Sequence, residues 1–478
     1  MRAEDIFKIV ADISQTAGVT AYVVGGYVRD RLREIPEKKD IDMVIEGDAL
    51  AFAKQFAEKF PEQGSLVEFP DFKTARFVFT ADEMKEEILE VEFAAARTEV
   101  YQPESRKPVV TSTTIEQDLS RRDFTVNAIA QKITNKGLEK VVDPFDGQKD
   151  LAAHVLRTPL DPDETFSDDP LRMLRAARFA AQLEFAIAPE VLQAIHRNRA
   201  RLHIVSAERI SEELIKLLAA PKPSIGLTIL YQTKLIDEFL PEVSQLSGVE
   251  EAYGYSHKDN LAHTFAVVDN IAERSQKPLL RFAGLVHDIA KPDTKQFVEG
   301  RGWTFDMHEH LGKKMTIDIG KRLRMSKDDV RYMAKLVRWH LQPIALMDDG
   351  VTDSAVRRLI INVGDDLVDL LILCRADITT GNQKKKEHRL KNYDYLERRI
   401  GEVIEKDKLR AFQSPVRGDE IMQLSGLKPG PTIGKMKKEI ERAILDGEIP
   451  NEYELAKAYF EKILPVFLNE AEEWERAV

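Results

Sequence analysis

The sequence predicts an α+β protein with a small α/β head that contains a mixed sheet, followed by a mainly α-helical remainder. Up to about residue 140, short apolar runs typical of strands alternate with stretches in which apolar residues recur at helical spacing. From about residue 168 to the C-terminus, the helical spacing dominates. Because 478 residues are more than one hydrophobic core usually supports, we expect two to four domains.

The elements of the predicted head follow one another at short intervals. Runs of apolar and β-branched residues indicate strands, and an Asp-Pro-Phe-Asp-Gly sequence at 143–147 is typical of a turn before a short helix. We expect a mixed sheet of about five strands. The predicted strands are 21–24, 41–45, 74–80 and 88–95, and the predicted helices are 27–34 and 48–60.

The charge balance limits how the chain can bind nucleic acid. A net charge of −11 argues against a protein that coats nucleic acid non-specifically, so RNA must bind at local basic surfaces. Such basic runs are also typical of a solvated face. The single cysteine and the acidic N-terminal segment predict a cytoplasmic protein, and no apolar stretch approaches the roughly 20 residues that span a membrane. The basic candidates are Arg121 and Arg122, then Arg172, Arg175 and Arg178, then Lys384, Lys385, Lys386, Arg389 and Lys391.

A pair of glycines, Gly25 and Gly26, follows the first predicted strand in the sequence GGYVRD. Glycines at this place let the backbone approach a phosphate closely, and the N-terminal N–H groups of the following helix favour an anion. Arg29 lies one helical turn further on, where its side chain can reach the same anion. The pattern therefore indicates a phosphate-binding turn.

Two aspartates follow ten residues later on the next predicted strand. Asp40 and Asp42 occupy alternate positions, so both carboxylates project from one face while the residues between them point to the core. Glu92 shares a face of a plausible neighbouring strand and can complete a site for divalent metal. Taken singly, Asp-x-Asp is more often a solvated strand face. Its distance from the glycine pair favours the metal site.

Six motifs in order resemble one known family. The chain is similar to class II tRNA nucleotidyltransferases and to bacterial poly(A) polymerases over roughly residues 20–240. The resemblance implies a nucleotidyltransferase-type head and a helical neck. The motifs are GGYVRD at Gly25–Asp30, Asp40-x-Asp42, Arg97-Thr-Glu99, DLSRRDFTVNA at Asp118–Ala128, DPFDGQKDL at Asp143–Leu151 and DDPLRMLRAARF at Asp168–Phe179.

The resemblance also implies roles for individual residues. Asp40, Asp42 and Glu92 are implied to be catalytic, with Asp40 and Asp42 holding Mg²⁺. Asp169 and Arg172 match the element that reads the base edge of CTP and then ATP, and three positions on a helix would place them on one face. Because Pro170 suits the first turn of a helix, Asp169 is alternatively a helix cap. The other implied nucleotide-binding residues are Gly25, Gly26, Arg29, Arg122, Asp123, Asn127 and Arg175.

A second constellation lies further along the chain on separate helical stretches. Imidazoles and carboxylates at such wide spacing are typical of a metal site in a helical bundle. Their order resembles the HD superfamily of metal-dependent phosphohydrolases over about residues 255–385. His310 follows as a bystander, and the identity of the divalent metal stays open. The implied ligands are His263, His287, Asp288, His308, His340 and Asp377.

The leading hypothesis is an enzyme that adds C, C and A to the tRNA 3′ end from CTP and ATP, with an associated HD phosphohydrolase activity. The segment 97–118 resembles the flexible loop that terminal A addition requires in the family, which favours full CCA addition. Alternatives are a CC-adding, A-adding or poly(A)-adding sibling, a protein whose main activity is the HD hydrolase, and a non-catalytic tRNA-binding chaperone. tRNA, CTP and ATP are the expected partners, no membrane is expected, and the oligomeric state stays open.

Four domains are expected on this interpretation. The tail from about residue 415 is expected to be helical, and its Gly426–Gly434 segment is either a contact for the tRNA elbow or a structural helical hairpin. The expected domains are a catalytic head at 1–145, a neck with nucleotide-reading and RNA-binding helices at 146–245, an HD domain at 246–405 and a helical tail at 406–478.

Overall fold

The computed structural model shows two compact units, which are made of several chain segments each. The first comprises Met1–Glu251, Ser256–Arg281 and Ile319–Ser326, and the second Ala252–Tyr255, Phe282–Asp318 and Lys327–Val478. The four expected domain boundaries remain a prediction. No helix in the described part of the chain combines the length and the apolar character needed to cross a membrane. The structure describes residues 2–35, 40–80, 90–102, 105–248, 251–252, 255–256, 259–347, 351–407 and 414–475.

The N-terminal part of the first unit is the expected α/β head. Its helices are α1 (Ala3–Ala17), α2 (Gly26–Leu32), α3 (Ala49–Ala57), α4 (Ile115–Ser120) and α5 (Gly147–Ala153). Its strands are β1 (Thr20–Val24), β2 (Asp40–Glu46), β3 (Gly64–Phe69), β4 (Thr74–Phe79), β5 (Glu90–Ala95), β6 (Arg97–Gln102), β7 (Ser105–Ser112), β8 (Ala130–Thr134) and β9 (Gly137–Val142).

The main sheet of the head is mixed, as predicted, but larger than predicted. Its seven strands run in the order β3-β4-β5-β2-β1-β8-β9, and β2 and β5 form a parallel pair among antiparallel neighbours. The predicted strands at 21–24, 41–45 and 74–80 are confirmed as β1, β2 and β4. Residues 88–89 of the fourth lie outside the described residues, and the rest is β5.

The expected count of about five strands was wrong because β3, β8 and β9 were not predicted. β3 and β9 lie at the two edges of the sheet, and most of their side chains face solvent. Edge strands with little buried surface lack the apolar alternation that marks a strand in the sequence.

The segment 97–118 is not the loop that the sequence predicted. β6 and β7 pair as an antiparallel hairpin, and α4 follows. Residues 109–112 are Val, Val, Thr and Ser, and the first three explain the extended conformation because β-branched residues favour strands. The functional role expected for this segment stays a prediction.

One face of the main sheet carries the core of the head. α1 and α3 pack there, and a cluster of phenylalanines fills the space between α3 and the sheet. Ring centroids in this cluster lie 4.8 to 6.3 Å apart, which is the range of favourable aromatic pairs. The opposite face of β2 and β5 carries the acidic side chains of Asp40, Asp42, Glu90 and Glu92 beside a smaller apolar cluster that includes Val44. The clustered rings are Phe52, Phe56, Phe60, Phe77, Phe79 and Phe93.

Residues 155–272, most of which belong to the first unit, are mainly helical, as predicted from about residue 168 onward. α7 begins after Pro170 and buries most of its side chains, including the arginines Arg172 and Arg178. The elements in this stretch are β10 (Val155–Leu156), α6 (Pro162–Asp168), α7 (Leu171–Leu183), β11 (Ala186–Ile187), α8 (Pro189–Asn198), α9 (Ala207–Leu218), α10 (Pro223–Gln232), α11 (Pro241–Ser244), β12 (Glu251–Ala252), β13 (Tyr255–Ser256) and α12 (Asn260–Ala272).

The remaining elements are also mainly helical and include most of the second unit. The tail is helical as predicted, and Gly426 ends α21 with φ +71° before Pro431 begins α22. The elements are α13 (Pro278–Val286), α14 (Lys291–Thr294), β14 (Gln296–Val298), β15 (Gly302–Thr304), α15 (His308–Arg322), α16 (Lys327–Trp339), α17 (Gln342–Ala345), α18 (Asp353–Val363), α19 (Leu367–Ala376), α20 (Gln383–Asp407), α21 (Gly418–Ser425), α22 (Pro431–Leu445) and α23 (Tyr453–Glu475).

Candidate functional site

Three carboxylates predicted from the sequence lie on the polar face of β2 and β5. Asp40 and Asp42 alternate with the buried residues Ile41 and Met43, as the period of a strand requires. The parallel register places Asp42 directly beside Glu92. The structure therefore brings the three predicted metal-binding carboxylates to one face of the sheet.

The carboxylates repel one another where they meet. The side chain of Asp42 reaches solvent, but the surrounding protein and the charges of Glu92 and Asp40 raise its pKa, against the opposing effect of Arg122. Adjacent carboxylates with a raised pKa are stabilised by a cation. An all-oxygen donor set of this kind fits a hard divalent metal.

Arg76 on β4 was not predicted as part of this site. Its Nη2 lies 3.1 Å from Glu92 Oε2, and its Nη1 lies 3.3 Å from Glu90 Oε2. The hydrogen bond to Glu92 and the charges of Glu92 and Glu90 raise the pKa of Arg76 in spite of its burial. The β4–β5 register places Arg76 beside Glu92, a pairing that the sequence does not reveal.

The glycine turn lies against these charged groups. Gly25 has φ +67°, and a Cβ at this position would lie 3.2 Å from Arg122 Nη1 and 3.9 Å from Asp42 Oδ2. A side chain would therefore be strained by its backbone conformation and crowded by the arginine. Gly26 is the first residue of α2. The glycine pair thus brings backbone next to the carboxylates.

A cleft of about 460 Å³ opens over the carboxylates within the first unit. Its described lining does not include Gly25, Gly26, Arg29, Asp40 or Asn127. The predicted contact of those residues with a nucleotide remains a prediction. The predicted site residues that do line it are Asp42, Glu92, Arg122, Asp123, Asp169, Arg172 and Arg175.

A hydrogen-bonded network crosses the wall of this cleft. Asp123 Oδ2 accepts from Arg175 Nε at 2.9 Å and from Nη2 at 2.6 Å, while its Oδ1 accepts from Asn127 Nδ2 at 3.1 Å. Asn127 Oδ1 in turn accepts from Arg29 Nη1 at 2.8 Å. Burial alone would raise the pKa of Asp123, but Arg175 and Asn127 lower it to about 2. The predicted residues of three motifs therefore form one fixed unit.

Arg29 lies inside this network instead of facing the cleft. It is buried, and its Nε and Nη2 donate to the two carboxylate oxygens of Asp30 at 2.8 and 3.0 Å. In this structure Arg29 joins the glycine turn to Asn127, and a direct contact with the nucleotide stays a prediction.

Two further residues, Phe179 and Glu213, complete the network and were not predicted as part of the site. The Phe179 ring lies 4.0 Å from the Arg178 guanidinium and 5.3 Å from that of Arg175, within reach of cation–π attraction. The buried Glu213 on α9 accepts from Arg178 Nε at 2.6 Å and lies 3.6 Å from Arg175 Nη1. Glu213 is far from the motifs in sequence, so only the tertiary fold reveals its role.

The predicted base-reading pair lines the cleft, but not on one helix face. Asp169 lies before α7, where its Oδ1 accepts from the backbone N–H of Leu171 at 3.2 Å and its Oδ2 lies 3.4 Å from Arg209 Nη2. The expected shared helix face was wrong because α7 begins at Leu171, after Pro170, so that Asp169 lies outside the helix. The alternative, in which Asp169 is the N-cap, was also wrong because Pro170 is the N-cap. Asp169 lies one residue earlier, and its Oδ1 still accepts from the first amide of the helix.

Arg172 is held by backbone carbonyls. Its Nη2 donates to the carbonyl of Arg121 at 2.6 Å, and its Nη1 to that of Thr165 at 3.3 Å. These bonds fix the guanidinium while using only part of its five N–H donors.

A second set of predicted residues meets in the second unit. Each of His287, His308 and His340 donates from its Nδ1 to a backbone carbonyl three residues earlier, at 2.7 Å in every case. A proton on Nδ1 leaves the Nε2 lone pair available to a metal. All three rings are buried, so their orientation is fixed by the fold.

The three Nε2 atoms converge on carboxylates. Asp288 Oδ1 lies 3.3 Å from His308 Nε2 and 3.8 Å from His340 Nε2, and the two Nε2 atoms are 3.3 Å apart. His287 Nε2 lies 3.2 Å from Asp288 Oδ2 and 3.5 Å from Asp377 Oδ1. The ligand atoms of Asp288, His308 and His340 all lie within 4.8 Å of one another. This geometry fits a divalent cation with mixed nitrogen and oxygen ligands.

Electrostatics at this centre also favour a cation. Burial would lower the pKa of His287, but Asp288 raises it to about 10. Burial and the neighbouring His287 lower the pKa of His340 to about 4, so that His340 is neutral at physiological pH. A metal that binds the converging Nε2 atoms replaces the proton on His287.

The sequence prediction names two further histidines. His263 is on α12 in the first unit, and its place among the ligands remains a prediction. His310 follows His308 on α15, is partly exposed, and has its Nε2 3.5 Å from Glu309 Oε1.

Comparison with known proteins identifies the family. An A-adding tRNA nucleotidyltransferase from Deinococcus radiodurans is 34% identical over 360 residues, which cover 73% of this chain and 79% of that protein. A multifunctional CCA protein from Verminephrobacter eiseniae is 34% identical over 371 residues, which cover 74% of this chain and 83% of that protein. The chain belongs to the tRNA nucleotidyltransferase family.

Three domain families match this tRNA nucleotidyltransferase in the predicted order. Residues 21–157 match the poly A polymerase head domain, residues 184–246 the probable RNA and SrmB-binding site of polymerase A, and residues 260–381 the HD domain. The nucleotidyltransferase head and the HD domain are both metal-dependent. The resemblance inferred from the motifs is therefore confirmed.

The fold agrees with this assignment. The Bacillus stearothermophilus CCA-adding enzyme in complex with CTP aligns with a TM-score of 0.65 and 22% identity, covering 99% of each chain. At this identity the likeness supports a shared fold.

Proposed function

We propose that this protein adds C, C and A to the 3′ end of tRNA, using CTP and ATP without a nucleic-acid template. The observation that carries the proposal is the cleft that unites the carboxylates Asp42 and Glu92 with the predicted base-reading pair Asp169 and Arg172. One cavity thus offers groups for the triphosphate and groups for the base. The multifunctional CCA protein of Verminephrobacter eiseniae supports the same specificity.

Mg²⁺ is the proposed metal of the head. Asp40, Asp42 and Glu92 would hold it, since Mg²⁺ prefers carboxylate oxygens and substrate phosphates. When bound, the metal activates the attacking 3′ hydroxyl and neutralises the leaving pyrophosphate. Arg122 lines the same cleft and is placed to bind the triphosphate as a cation.

Base selection follows from the chemistry of the pair. A carboxylate accepts from the exocyclic amine that C and A share, while a guanidinium donates to the adjacent ring nitrogen. U and G present a carbonyl where C and A present the amine, so they leave the Asp169 carboxylate without a donor. The backbone bonds of Arg172 keep the guanidinium in place for both bases.

A second candidate is addition of the terminal A alone. The Deinococcus radiodurans relative is an A-adding enzyme at 34% identity, the same identity as the CCA protein. The head and its motifs are shared by both candidates, and they differ in which tRNA end and which nucleotide the cleft accepts.

We further propose that the HD domain hydrolyses phosphate esters with its own divalent metal. The donor set of His287, Asp288, His308 and His340, with Asp377 beside it, supports this activity. When bound, the metal lowers the pKa of a water molecule for attack on phosphorus. Cyclic 2′,3′-phosphates, 2′-nucleotides and damaged RNA ends are all candidate substrates. The cytoplasmic location expected from the sequence stays a prediction.

The test is extension of tRNA that lacks CCA and of tRNA that ends in CC, with CTP alone, ATP alone and both. The CCA proposal expects two additions with CTP and a third only with ATP present. Addition of A to the CC-ending tRNA alone would replace it with the A-adding candidate. The variant Asp40→Ala/Asp42→Ala is expected to add nothing, while the control Asp12→Ala, at an exposed position of α1, retains activity.

A further inference from the structure

A basic groove of about 530 Å³ lies between α15 and α16 in the second unit. Its volume is in the range of ligand-binding clefts. Within the described part of the chain no acidic side chain lines it, although Asp and Glu outnumber Lys and Arg by 81 to 70 in the whole sequence. The cationic and aromatic residues of its lining are Lys313, Lys327, Arg331, Lys335, Arg338 and Trp339.

We propose that this groove binds a single RNA strand and leads its end to the histidine–aspartate centre. The inference rests on the proposed HD phosphohydrolase activity and names its substrate class. The substrate is a polynucleotide end whose strand continues along the groove, and a free mononucleotide is a poor substitute for it.

The cations of α16 form a stripe along one helix face. Lys327, Arg331 and Lys335 follow at intervals of four residues, which places them one above another at steps of about 6 Å along the axis. Arg338 continues the stripe. Regular steps of this size match the repeating phosphates of an extended strand better than a single phosphate group.

Most of these cations are available to a ligand. The ammonium groups of Lys313 and Lys327 have no ion-pair partner among the described residues. Arg331 pairs with Asp328, but both side chains are more than 70% exposed, and such pairs contribute little. Lys335 and Arg338 are the exceptions. Lys335 Nζ lies 2.6 Å from Asp366 Oδ2 and 3.1 Å from the Val363 carbonyl, and Arg338 Nη1 lies 3.8 Å from Glu309 Oε1. Lys335 therefore anchors α16.

The groove also offers an aromatic surface. The Trp339 ring is partly exposed and lies 4.6 Å from the Arg338 guanidinium. Aromatic rings beside cations stack unpaired bases without sequence preference, while the cations follow the phosphates. This combination favours RNA over an acidic protein, which would use the cations but not a stacking ring.

One end of the groove lies close to the metal ligands on both helices. His308 is the first residue of α15, so Lys313 follows about 7.5 Å further along the axis. Trp339 directly precedes His340. The helices approach closely between these points, because a Cβ on Gly312 would lie 3.1 Å from Val337 Cγ1. The described lining of the groove includes neither His308 nor His340, so the proposal requires the end of the strand to turn past Trp339 to reach them.

The test compares the hydrolysis of two substrates by the whole chain, which is loaded with Mn²⁺. One is a ten-nucleotide RNA that ends in a 2′,3′-cyclic phosphate, and the other is the matching cyclic mononucleotide. The ratio of their kcat/KM values is expected to fall about tenfold in Lys313→Ala/Lys327→Ala. The ratio stays at the wild-type value in Lys314→Ala/Lys462→Ala, two exposed lysines that do not line the groove.

Salt dependence gives a second measure. Each phosphate contact on a single strand adds about −0.7 to the slope of log affinity against log salt concentration. The groove variant, which loses two contacts, is therefore expected to have a slope about 1.4 shallower for the oligonucleotide. If the wild type hydrolyses both substrates but Lys313→Ala/Lys327→Ala changes neither the ratio nor the slope, the groove does not bind the RNA strand. The proposed hydrolase activity would be unaffected by that result.

If the wild type hydrolyses neither substrate, the hydrolase proposal fails and the groove is tested by crosslinking. The same RNA carrying 4-thiouridine is irradiated with the protein, and the crosslinked peptides are identified by mass spectrometry. Crosslinks in the peptide that contains Trp339, lost in Lys313→Ala/Lys327→Ala, support the groove as an RNA site. Crosslinks confined to the first unit overturn it.

Discussion

The two candidate metal centres differ in how the fold holds their ligands. In the head, Asp40, Asp42 and Glu92 project from two neighbouring strands, and the register of one parallel pair brings them together. In the second unit, His287, His308 and His340 come from separate helical segments, and backbone carbonyls fix each ring. One centre is open and purely oxygen-based, while the other is buried and rich in nitrogen.

This difference indicates different metals and different exchange behaviour. An open carboxylate pair binds Mg²⁺ weakly until the triphosphate supplies further oxygens, so its metal arrives with the substrate. Buried imidazoles with fixed Nε2 atoms suit a transition metal that stays resident. We therefore expect the two activities of this chain to respond separately to ligand mutation and to metal.

Reciprocal ligand variants give the largest effect and the sharpest test of independence. Asp42→Asn is expected to lower nucleotide addition at least about a thousandfold, because several kcal/mol of charge stabilisation are lost. Asp288→Asn is expected to do the same to phosphoester hydrolysis. Each variant should retain the other activity, measured as kcat/KM on the same preparation. If either variant lowers both activities equally, the two centres are not independent.

Metal exchange tests the chemical side of the comparison. After removal of metal with a chelator, Mg²⁺ alone is expected to restore nucleotide addition. Phosphoester hydrolysis should instead require Mn²⁺, Co²⁺ or Ni²⁺, with Mg²⁺ at least about tenfold less effective, because imidazole ligands favour these metals. The measurement is a titration of each metal against both activities. Full recovery of hydrolysis with Mg²⁺ would contradict the predicted difference between the centres.

The local part of each centre was predictable from the sequence. A strand of period two fixes that Asp40 and Asp42 share a face, and the glycine pair before a helix marks the turn beside them. The histidines could be assigned because their order resembles a known superfamily. Their Nδ1 bonds to carbonyls three residues earlier are local contacts within each segment.

The partners that come from distant elements could not be predicted. Arg76 meets Glu92 through the β4–β5 register, and Glu213 meets Arg178 through the packing of α9 on α7. Neither pairing leaves a local signal, since a charged residue on a strand or helix is usually solvated. The prediction that Asp169 lies on the helix was wrong because α7 begins only after Pro170.

The buried Gly147 packs against the turn that carries Asn127 in the head. A Cβ on Gly147 would lie 2.2 Å from the Thr125 carbonyl oxygen and 2.8 Å from Ile129 Cγ1, so Gly147→Ala must displace the turn that carries Asn127. We expect a loss of about 1–3 kcal/mol in stability and a several-fold rise in KM for CTP. Hydrolysis by the second centre should be unaffected.

The matched control for this glycine is Gly401→Ala on α20, where no atom lies within 4 Å of the added methyl. It should leave nucleotide addition unchanged and stabilise its helix slightly, as alanine does relative to glycine. A Gly147→Ala protein with wild-type KM and stability would show that the DPFDGQKDL motif does not hold the nucleotide-binding network in place.

The smallest expected effect concerns the buried Asp123 and separates the stabilities of the two units. Its pKa falls from the usual 3.8 to about 2 in the folded protein, so folding favours the ionised form. This contribution, on the order of 2 kcal/mol, is fully present above pH 4 and is lost as the pH falls from 3.8 towards 2. Asp123→Asn should therefore destabilise the first unit at pH 7 and matter less at pH 2.5.

Tryptophan fluorescence allows the unfolding of the second unit to be measured separately from that of the first. The three tryptophans, Trp303, Trp339 and Trp474, all belong to the second unit. We expect Asp123→Asn to lower the urea concentration at which β1 and β8 unfold, measured by hydrogen exchange. The urea midpoint measured by tryptophan fluorescence should stay unchanged. The exposed pair of Asp163 and Arg197 supplies the control, because Asp163→Asn should change neither midpoint measurably. If Asp123→Asn also shifts the fluorescence midpoint, the two units unfold together. The two units would then differ in the chemistry of their metal centres but not in their stability.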